Sequence, residues 1–151
     1  MLGVLTIEEI DKILMDNVNG RIGYLDDDRI YVIPVSYAYN GTYIILHSRE
    51  GSKIRAMRKN PHVCFEVDEI QDQVNWRSVV AWGEYEEVTD NRERYYAMKY
   101  LVGRLLHVKV SETMPVEEHV GGPTSPDEKR PVVYRIRLRD KSGRYERAAR
   151  R

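Results

Sequence analysis

The chain has little cysteine and no long apolar run. Cys64 is the only cysteine among 151 residues, so no disulfide can form within the chain, and a reducing compartment is the default expectation. No stretch approaches the roughly 18 consecutive apolar residues of a membrane-spanning helix. The first ten residues, MLGVLTIEEI, also lack the basic segment that opens a secretory signal. We therefore expect a soluble, cytoplasmic protein.

An excess of charge of either sign is also absent. The 24 basic side chains balance the 24 acidic ones, whereas a basic surplus is typical of proteins that bind nucleic acid or anionic membranes. We therefore expect neither partner. His62, His107 and His119 are scattered without the spacing of metal ligands, so no metal site is predicted. The length suits one domain over residues 1–151.

The pattern of apolar residues predicts a mainly β chain of six strands and three helices. Thr6 with Glu9, and Asp90 with Glu93, form capping boxes before two of the helices. The strands are predicted at residues 21–25, 29–39, 43–48, 62–67, 77–88 and 131–139. Because closing a sheet of short antiparallel strands removes its exposed edges, we expect a small barrel with peripheral helices.

The dipeptide NG at residues 40–41 predicts a two-residue hairpin turn that would pair Pro34 with His47. Proline cannot donate a ladder hydrogen bond, so Pro34 indicates either an ordinary edge strand or a locally opened strand pair. An opened pair would leave backbone groups of Ile33 and Val35 free to bind a planar, polar ligand. Both interpretations stay open on the residues alone.

Basic residues crowd the segment 48–59, SREGSKIRAMRK, which reads as a turn and a short helix. Lys53 falls in the first helical turn, where the helix dipole disfavours a cation by roughly 0.3–1 kcal/mol. Free backbone N–H groups, the hydroxyls of Ser48 and Ser52 and the Lys53 ammonium are the groups a phosphate needs. Ser52 is also the predicted helix cap. The alternative is a solvated basic helix without a ligand.

Two segments differ from the predicted strands and helices, one by having no apolar periodicity and the other by its many basic residues. Residues 108–130 exceed the usual loop of about 12–15 residues, so we expect either a lid or a disordered excursion there. Residues 141–151 are strongly basic and are expected to form a solvated tail, with an RNA-binding arm as the alternative.

Three stretches together resemble the pyridoxamine 5′-phosphate oxidase-like family of FMN-binding split β-barrels. They read IYVIPVSYAYNGTYIILHS, GSKIRAMRKNPHVCFEV and WRSVVAWGEYEEV. Within the family the chain looks most similar to the nitroimidazole-resistance branch, in which a histidine follows the second hairpin strand, as His47 does here. The resemblance implies a six-stranded antiparallel split β-barrel that binds FMN.

The resemblance also implies a homodimer with two FMN molecules between the subunits. The phosphate would bind at the turn and helix start, the flavin ring would lie along one strand, and another strand would close over it, often from the other subunit. The matching residues are Ser48, Ser52 and Lys53 for the phosphate, Ile33, Pro34 and Val35 with His47 nearby for the ring, and Trp76, Arg77 and Ser78 for the closing strand.

The function implied by the resemblance is that of an FMN-dependent oxidoreductase acting on a small molecule, with nitroaromatic compounds such as 5-nitroimidazoles as candidates. His47 would donate a proton or only orient the ring or phosphate. The alternative is a non-catalytic flavin- or haem-binding protein, with His47 as an axial iron ligand. Ser52 stands where the vitamin B6 oxidases carry an additional arginine, so oxidation of pyridoxamine phosphate is not implied.

Overall fold

The computed structural model describes residues 1–108 and 130–149, which form three helices and eight strands. The helices are α1 (Ile7–Asp16), α2 (Ser52–Lys59) and α3 (Asn91–Val108). The strands are β1 (Leu2–Val4), β2 (Asn19–Asp26), β3 (Arg29–Ser36), β4 (Ala38–Tyr39), β5 (Tyr43–Ser48), β6 (His62–Asp72), β7 (Asn75–Glu87) and β8 (Val132–Glu146). Within these residues, no helix combines the length and apolar character needed to cross a bilayer.

All eight strands belong to one antiparallel sheet in the order β3-β2-β6-β7-β8-β5-β4, with β1 added beside the end of β8. Ile22, Phe65, Tyr134 and Leu46 come from four strands along this path and share one buried cluster. The sheet therefore curls around a single core, which confirms the mainly β split-barrel prediction. The count of six strands was wrong, because β1 is too short to show a periodic pattern and the strand predicted at residues 29–39 is divided into β3 and β4.

Strand β8 is longer than the sequence predicted. It runs through residues 141–146 and pairs there with β7 and β1, so most of the expected basic tail is part of the sheet. Its outward arginines are matched by carboxylates on β7, with Arg135 3.0 Å from Glu86 and Arg137 3.1 Å from Glu84. The expected lid at residues 108–130 lies, apart from its two ends, outside the described residues.

The predicted capping box of α1 is confirmed. The Thr6 hydroxyl accepts a hydrogen bond from the Glu9 backbone N–H at 3.2 Å, and the Glu9 carboxylate accepts one from the Thr6 N–H at 3.2 Å. Ile10, Ile13 and Leu14 then enter the main core from one face of the helix, as their spacing indicates.

Helix α2 inserts Ile54, Ala56 and Met57 into the same core. Its cap is Gly51, and no side chain caps its first turn, so the prediction that Ser52 caps the helix was wrong. Ser52 is the first helical residue, whereas a capping side chain stands one position earlier, where Gly51 lies, and accepts from the first N–H groups of the helix. Those N–H groups are therefore not satisfied by a capping side chain.

The hairpin between β4 and β5 turns one residue later than the NG dipeptide predicted. The Asn40 backbone N–H donates to the Tyr43 carbonyl at 3.2 Å, which makes Gly41 and Thr42 the turn residues. Gly41 has φ +94°, a left-handed conformation that glycine adopts readily. The Asn40 side-chain oxygen accepts hydrogen bonds from the N–H groups of Thr42 and Tyr43 at 2.9 and 2.8 Å, which fixes this turn.

The predicted pairing of Pro34 with His47 was also wrong. Pro34 on β3 opposes Arg21 on β2, whereas His47 on β5 opposes Val133 on β8. β3 lies at the end of the sheet path and pairs with β2 without a register shift. Pro34 is therefore an ordinary edge-strand proline, a position where the missing N–H costs no ladder hydrogen bond.

Candidate functional site

Two of the basic residues of α2, Arg58 and Lys59, have carboxylate partners. Arg58 donates from Nε to the Glu87 carboxylate at 2.8 Å, and both of its terminal nitrogens donate to the Glu50 carboxylate. The Lys59 amine lies 3.4 Å from the Asp27 carboxylate at the turn between β2 and β3. These contacts tie α2 to β7 and to the β2–β3 turn.

The other three cations of the segment stand without such partners. Within the described part of the chain, Arg49, Lys53 and Arg55 have no carboxylate oxygen within 4.0 Å. Arg49 and Arg55 are exposed to solvent, which screens their charge. Lys53 is half-buried, and this burial lowers the pKa of its amine. A cation that has lost water without gaining a counter-ion favours the arrival of an anion.

Lys53 lies in the first turn of α2, beside the backbone N–H groups that no side chain caps. Ser48 ends β5, and its hydroxyl donates to the Arg49 carbonyl at 2.9 Å. Ser52 is exposed at the first position of the helix. The three residues that the sequence assigned to a phosphate therefore sit within one turn and helix start, and their oxygen and nitrogen atoms suit an oxyanion.

His47 lies on the face of β5 opposite to the one that enters the main core. Ile44 and Leu46 point into the main core, while Ile45 joins Val133 in a second cluster under α3. Because side chains alternate along a strand, half-buried His47 shares the face of Ile45. His47 and Pro34 therefore lie on strands that do not pair with each other.

The predicted ring-binding strand presents only one of its three residues outward. Ile33 and Val35 pack against the main core, while Pro34 is exposed. With Pro34 facing away from β2 on this edge strand, the alternating N–H groups of Ile33 and Val35 point toward β2. The expectation that their backbone groups are free for a ligand was therefore wrong.

The convex face of the sheet carries an exposed apolar surface that we call the outer apolar face. The strand register places Val32, Gly23, Cys64 and Trp82 in one row across β3, β2, β6 and β7. The exposed members of the face are Ile30, Val32, Pro34 and Trp82, with Ile30 and Val32 72% and 63% exposed. Contiguous exposed apolar residues of this kind mark interaction surfaces.

The predicted closing strand begins at the far end of β7. The Trp76 indole N–H donates to the Glu146 carboxylate at 3.0 Å, and Arg77 pairs with Glu69. These four side chains line a cavity of about 490 Å³ beside Tyr145.

That cavity is remote from α2 within one chain. Half-buried Ser78, which opposes Asp68 on β6, lies nine residues before Glu87, and Glu87 is the residue bound by Arg58 of α2. At about 3.3 Å per residue the two ends are roughly 30 Å apart along the strand. Residues 76–78 therefore lie at the end of β7 opposite to the one that contacts Arg58 of α2.

Sequence reasoning missed a charged cluster beside the outer apolar face. Arg21 donates to Glu66 at 3.0 Å and to Asp68 at 2.9 Å, in the row that also contains Pro34. Burial, followed by the neighbouring Asp68 carboxylate, raises the pKa of Glu66 to about 7. The two-residue spacing of Glu66 and Asp68 was the available signal, but the strand was predicted to end at residue 67.

Glu66 should make the stability of the fold depend on pH. The folded protein holds the Glu66 proton with a pKa of about 7, above the ordinary value of 4.5. The protonated carboxyl therefore stabilises the folded state fully below pH 4.5, and this stabilisation is lost as the pH rises through about 7. We expect the urea midpoint to fall from about pH 5 to 8, and Glu66→Gln to reduce that fall. Glu8→Gln, at an exposed position of α1, is the control. Equal pH profiles for wild type and Glu66→Gln would contradict this assignment.

Comparisons with known proteins agree with the fold and with the family resemblance. A FAD-binding protein from Mesorhizobium loti is 30% identical, superposes with a TM-score of 0.75 and matches over 99% of both chains. A candidate 5-nitroimidazole antibiotic resistance protein from Bacteroides thetaiotaomicron is 18% identical with a TM-score of 0.73, over 96% of this chain and 87% of that one. At that identity the likeness concerns the fold alone.

The sequence comparison adds one relative and a family. An uncharacterised protein of Rhizobium meliloti is 28% identical over 123 residues, which are 79% of this chain and 82% of that protein. The family model described as pyridoxamine 5′-phosphate oxidase matches residues 6–145, nearly the whole chain. The uncapped start of α2, the curled sheet and this match converge, and the chain belongs to the pyridoxamine 5′-phosphate oxidase family.

Proposed function

We propose that this chain binds a flavin nucleotide, with its phosphate at the start of α2. The carrying observation is Lys53, whose half-buried amine has a lowered pKa and no carboxylate within 4.0 Å among the described residues. A phosphate would supply the missing counter-charge, and the uncapped N–H groups of α2 would add donors. The similarity to the FAD-binding protein of Mesorhizobium loti supports a flavin.

FMN is the form we propose, since Ser48, Ser52 and Lys53 form one compact oxyanion site suited to a single phosphate. The relative from Mesorhizobium loti is named for FAD, so the identity of the released nucleotide is a direct test.

We propose further that the flavin lies between two copies of the chain. Three charge-assisted hydrogen bonds contribute about 1.5–3 kcal/mol each, while association costs about 4–15 kcal/mol. The phosphate contacts alone therefore bind weakly, and the ring must be buried as well. The position of residues 76–78 at the end of β7 remote from the Arg58 contact and the outer apolar face both favour a site completed by a second copy.

The chemistry that a bound flavin would supply is two-electron transfer. The chain's own part would be to hold the phosphate at Lys53, to exclude water from the ring through the outer apolar face, and to provide a proton from His47. The acceptor class we propose is nitroaromatic, such as a 5-nitroimidazole. Its nitro group would take up two electrons and two protons, and one N–O bond would break to release water and leave a nitroso group.

Lys53→Ala should lose its flavin. Removing one charge-assisted contact is expected to weaken binding by about 10- to 150-fold, so the variant should purify colourless while wild type carries flavin. Absorption spectra and chromatography of the released nucleotide measure the content and separate FMN from FAD. A Soret band in wild type would favour the haem-binding alternative instead.

The matched control for that loss is Lys59→Ala, which removes an exposed ammonium from the same helix. It should retain the wild-type flavin content. A Lys53→Ala protein that also retains full content would exclude the phosphate site at α2.

The outer apolar face should hold the dimer together. Val32→Glu places a charge on this face and is expected to convert a dimer into monomers, because an unpaired carboxylate in an apolar interface is costly. Light scattering after size-exclusion chromatography measures the mass. Tyr95→Glu, at an exposed position on α3, should leave the dimer intact, and a monomeric wild type would refute this proposal.

Anaerobic oxidation of the reduced protein tests the proposed acceptor. We expect the absorption of reduced flavin to convert to that of oxidised flavin when a 5-nitroimidazole is added without oxygen, with the nitroso product detected by mass spectrometry. Reduced flavin that persists unchanged would rule out this acceptor class and would leave the flavin site itself unaffected.

A further inference from the structure

We propose that a second cleft, between the start of α3 and the start of β8, binds an oxyanion of a small molecule through Arg94 and Arg130. We call it the arginine cleft. It encloses about 410 Å³ and is lined by Arg58, Glu50, Glu87, Arg94, Arg130 and Val132, among others. Its volume lies in the range of about 300–1,000 Å³ that is typical of sites for small ligands. This inference goes beyond the proposed flavin site and does not depend on it.

The carboxylates that line the arginine cleft already accept hydrogen bonds, although a single arginine balances only one of their two negative charges. Arg58 binds Glu50 through both terminal nitrogens and Glu87 through Nε. The Tyr85 hydroxyl also donates to Glu87 at 2.7 Å. Burial would raise the pKa of Glu87, but the hydrogen bonds from Arg58 and Tyr85 outweigh it and lower that pKa. Both carboxylates are therefore already engaged by donors of the chain itself.

Arg94 and Arg130 have no comparable partner. In residues 1–108 and 130–149, neither guanidinium has a carboxylate oxygen within 4.0 Å. Arg94 donates from Nη2 to the Pro131 carbonyl at 2.7 Å, and its buried Nε has no acceptor in this part of the chain. Arg130 donates to the Asn91 side chain at 3.2 Å.

The positive charge in the arginine cleft exceeds the negative charge. Its lining holds three arginines and two glutamates, a net charge of +1. Burial, and then the nearby charge of Arg130, lower the pKa of Arg94, so the two guanidinium groups are close enough to repel each other. A carboxylate or phosphate placed between them would remove the repulsion and would supply an acceptor for the Arg94 Nε, because the planar guanidinium matches both oxyanions.

The arginine cleft and the Lys53 site flank different sides of α2. Arg58, which lines the cleft, follows Lys53 by five residues on the same helix. Five residues turn the helix by about 500°, which leaves the two side chains about 140° apart. An anion at one site therefore does not occupy the other, and the two can be tested separately.

Titration calorimetry of the Lys53→Ala protein with inorganic phosphate, and separately with benzoate, tests the arginine cleft. The Lys53→Ala background removes the other proposed anion site. We expect saturable binding of at least one anion and a loss of about tenfold or more when Arg130→Gln is added. Arg130 is the better target because its hydrogen bond is to exposed Asn91, so its removal should not disturb the fold.

The matched control is Arg92→Gln, which removes an exposed arginine from the same end of α3 and should bind like the parent. A preference for phosphate would identify a phosphorylated ligand, and a preference for benzoate would identify a carboxylic acid. Absence of saturable binding of both anions, or equal affinities of Arg130→Gln and Arg92→Gln, would overturn the proposal. A loss of flavin from Arg130→Gln with Lys53 intact would assign the cleft to the flavin site and would overturn its independence.

Discussion

The arrangement of this protein depends on the long antiparallel pairing of β7 with β8. These strands are paired from Trp76 opposite Glu146 to Glu87 opposite Tyr134, with one shift of register between Trp82 and Gly83, although the whole of α3 separates them in sequence. One end of the pair brings Glu87 to Arg58 of α2 and to the arginine cleft. The other end forms the cavity beside Trp76. The cavity beside Trp76 and the contacts to α2 therefore lie at opposite ends of β7.

The ionic contacts divide the basic residues into two groups with different roles. Arg58 donates hydrogen bonds to Glu50 and Glu87, and Arg21 donates to Glu66 and Asp68, so these residues join secondary-structure elements. Among the described residues, Lys53, Arg94 and Arg130 have no carboxylate oxygen within 4.0 Å of their charged nitrogens. Lys53 and Arg94 are also partly buried, whereas Arg130 is exposed, and a partly buried cation without a counter-ion is unfavourable unless an anion binds to it. This contrast, and not the number of basic residues, is what locates the two proposed sites.

Local signals in the sequence gave correct local structure. The capping box of Thr6 and Glu9 and the short helix within residues 48–59 were both predicted, because each depends on residues within a few positions of one another. The pairing of Pro34 failed because strand partners are chosen by the whole sheet. A hairpin turn that shifted by one residue, together with β2 as the partner of β3, placed Pro34 opposite Arg21.

The sequence by itself determined the family and the split barrel, through the resemblance of three stretches to known members. It also determined the short basic helix with Lys53 in its first turn, because apolar periodicity and turn residues are local properties of the chain. Only the tertiary structure decided which charges find partners. Arg94 and Arg130 are 36 positions apart in the chain, and they share a cleft because α3 folds its first turn against the start of β8. Burial and the distance between charges are properties of the folded sheet, so no pattern along the chain specifies them.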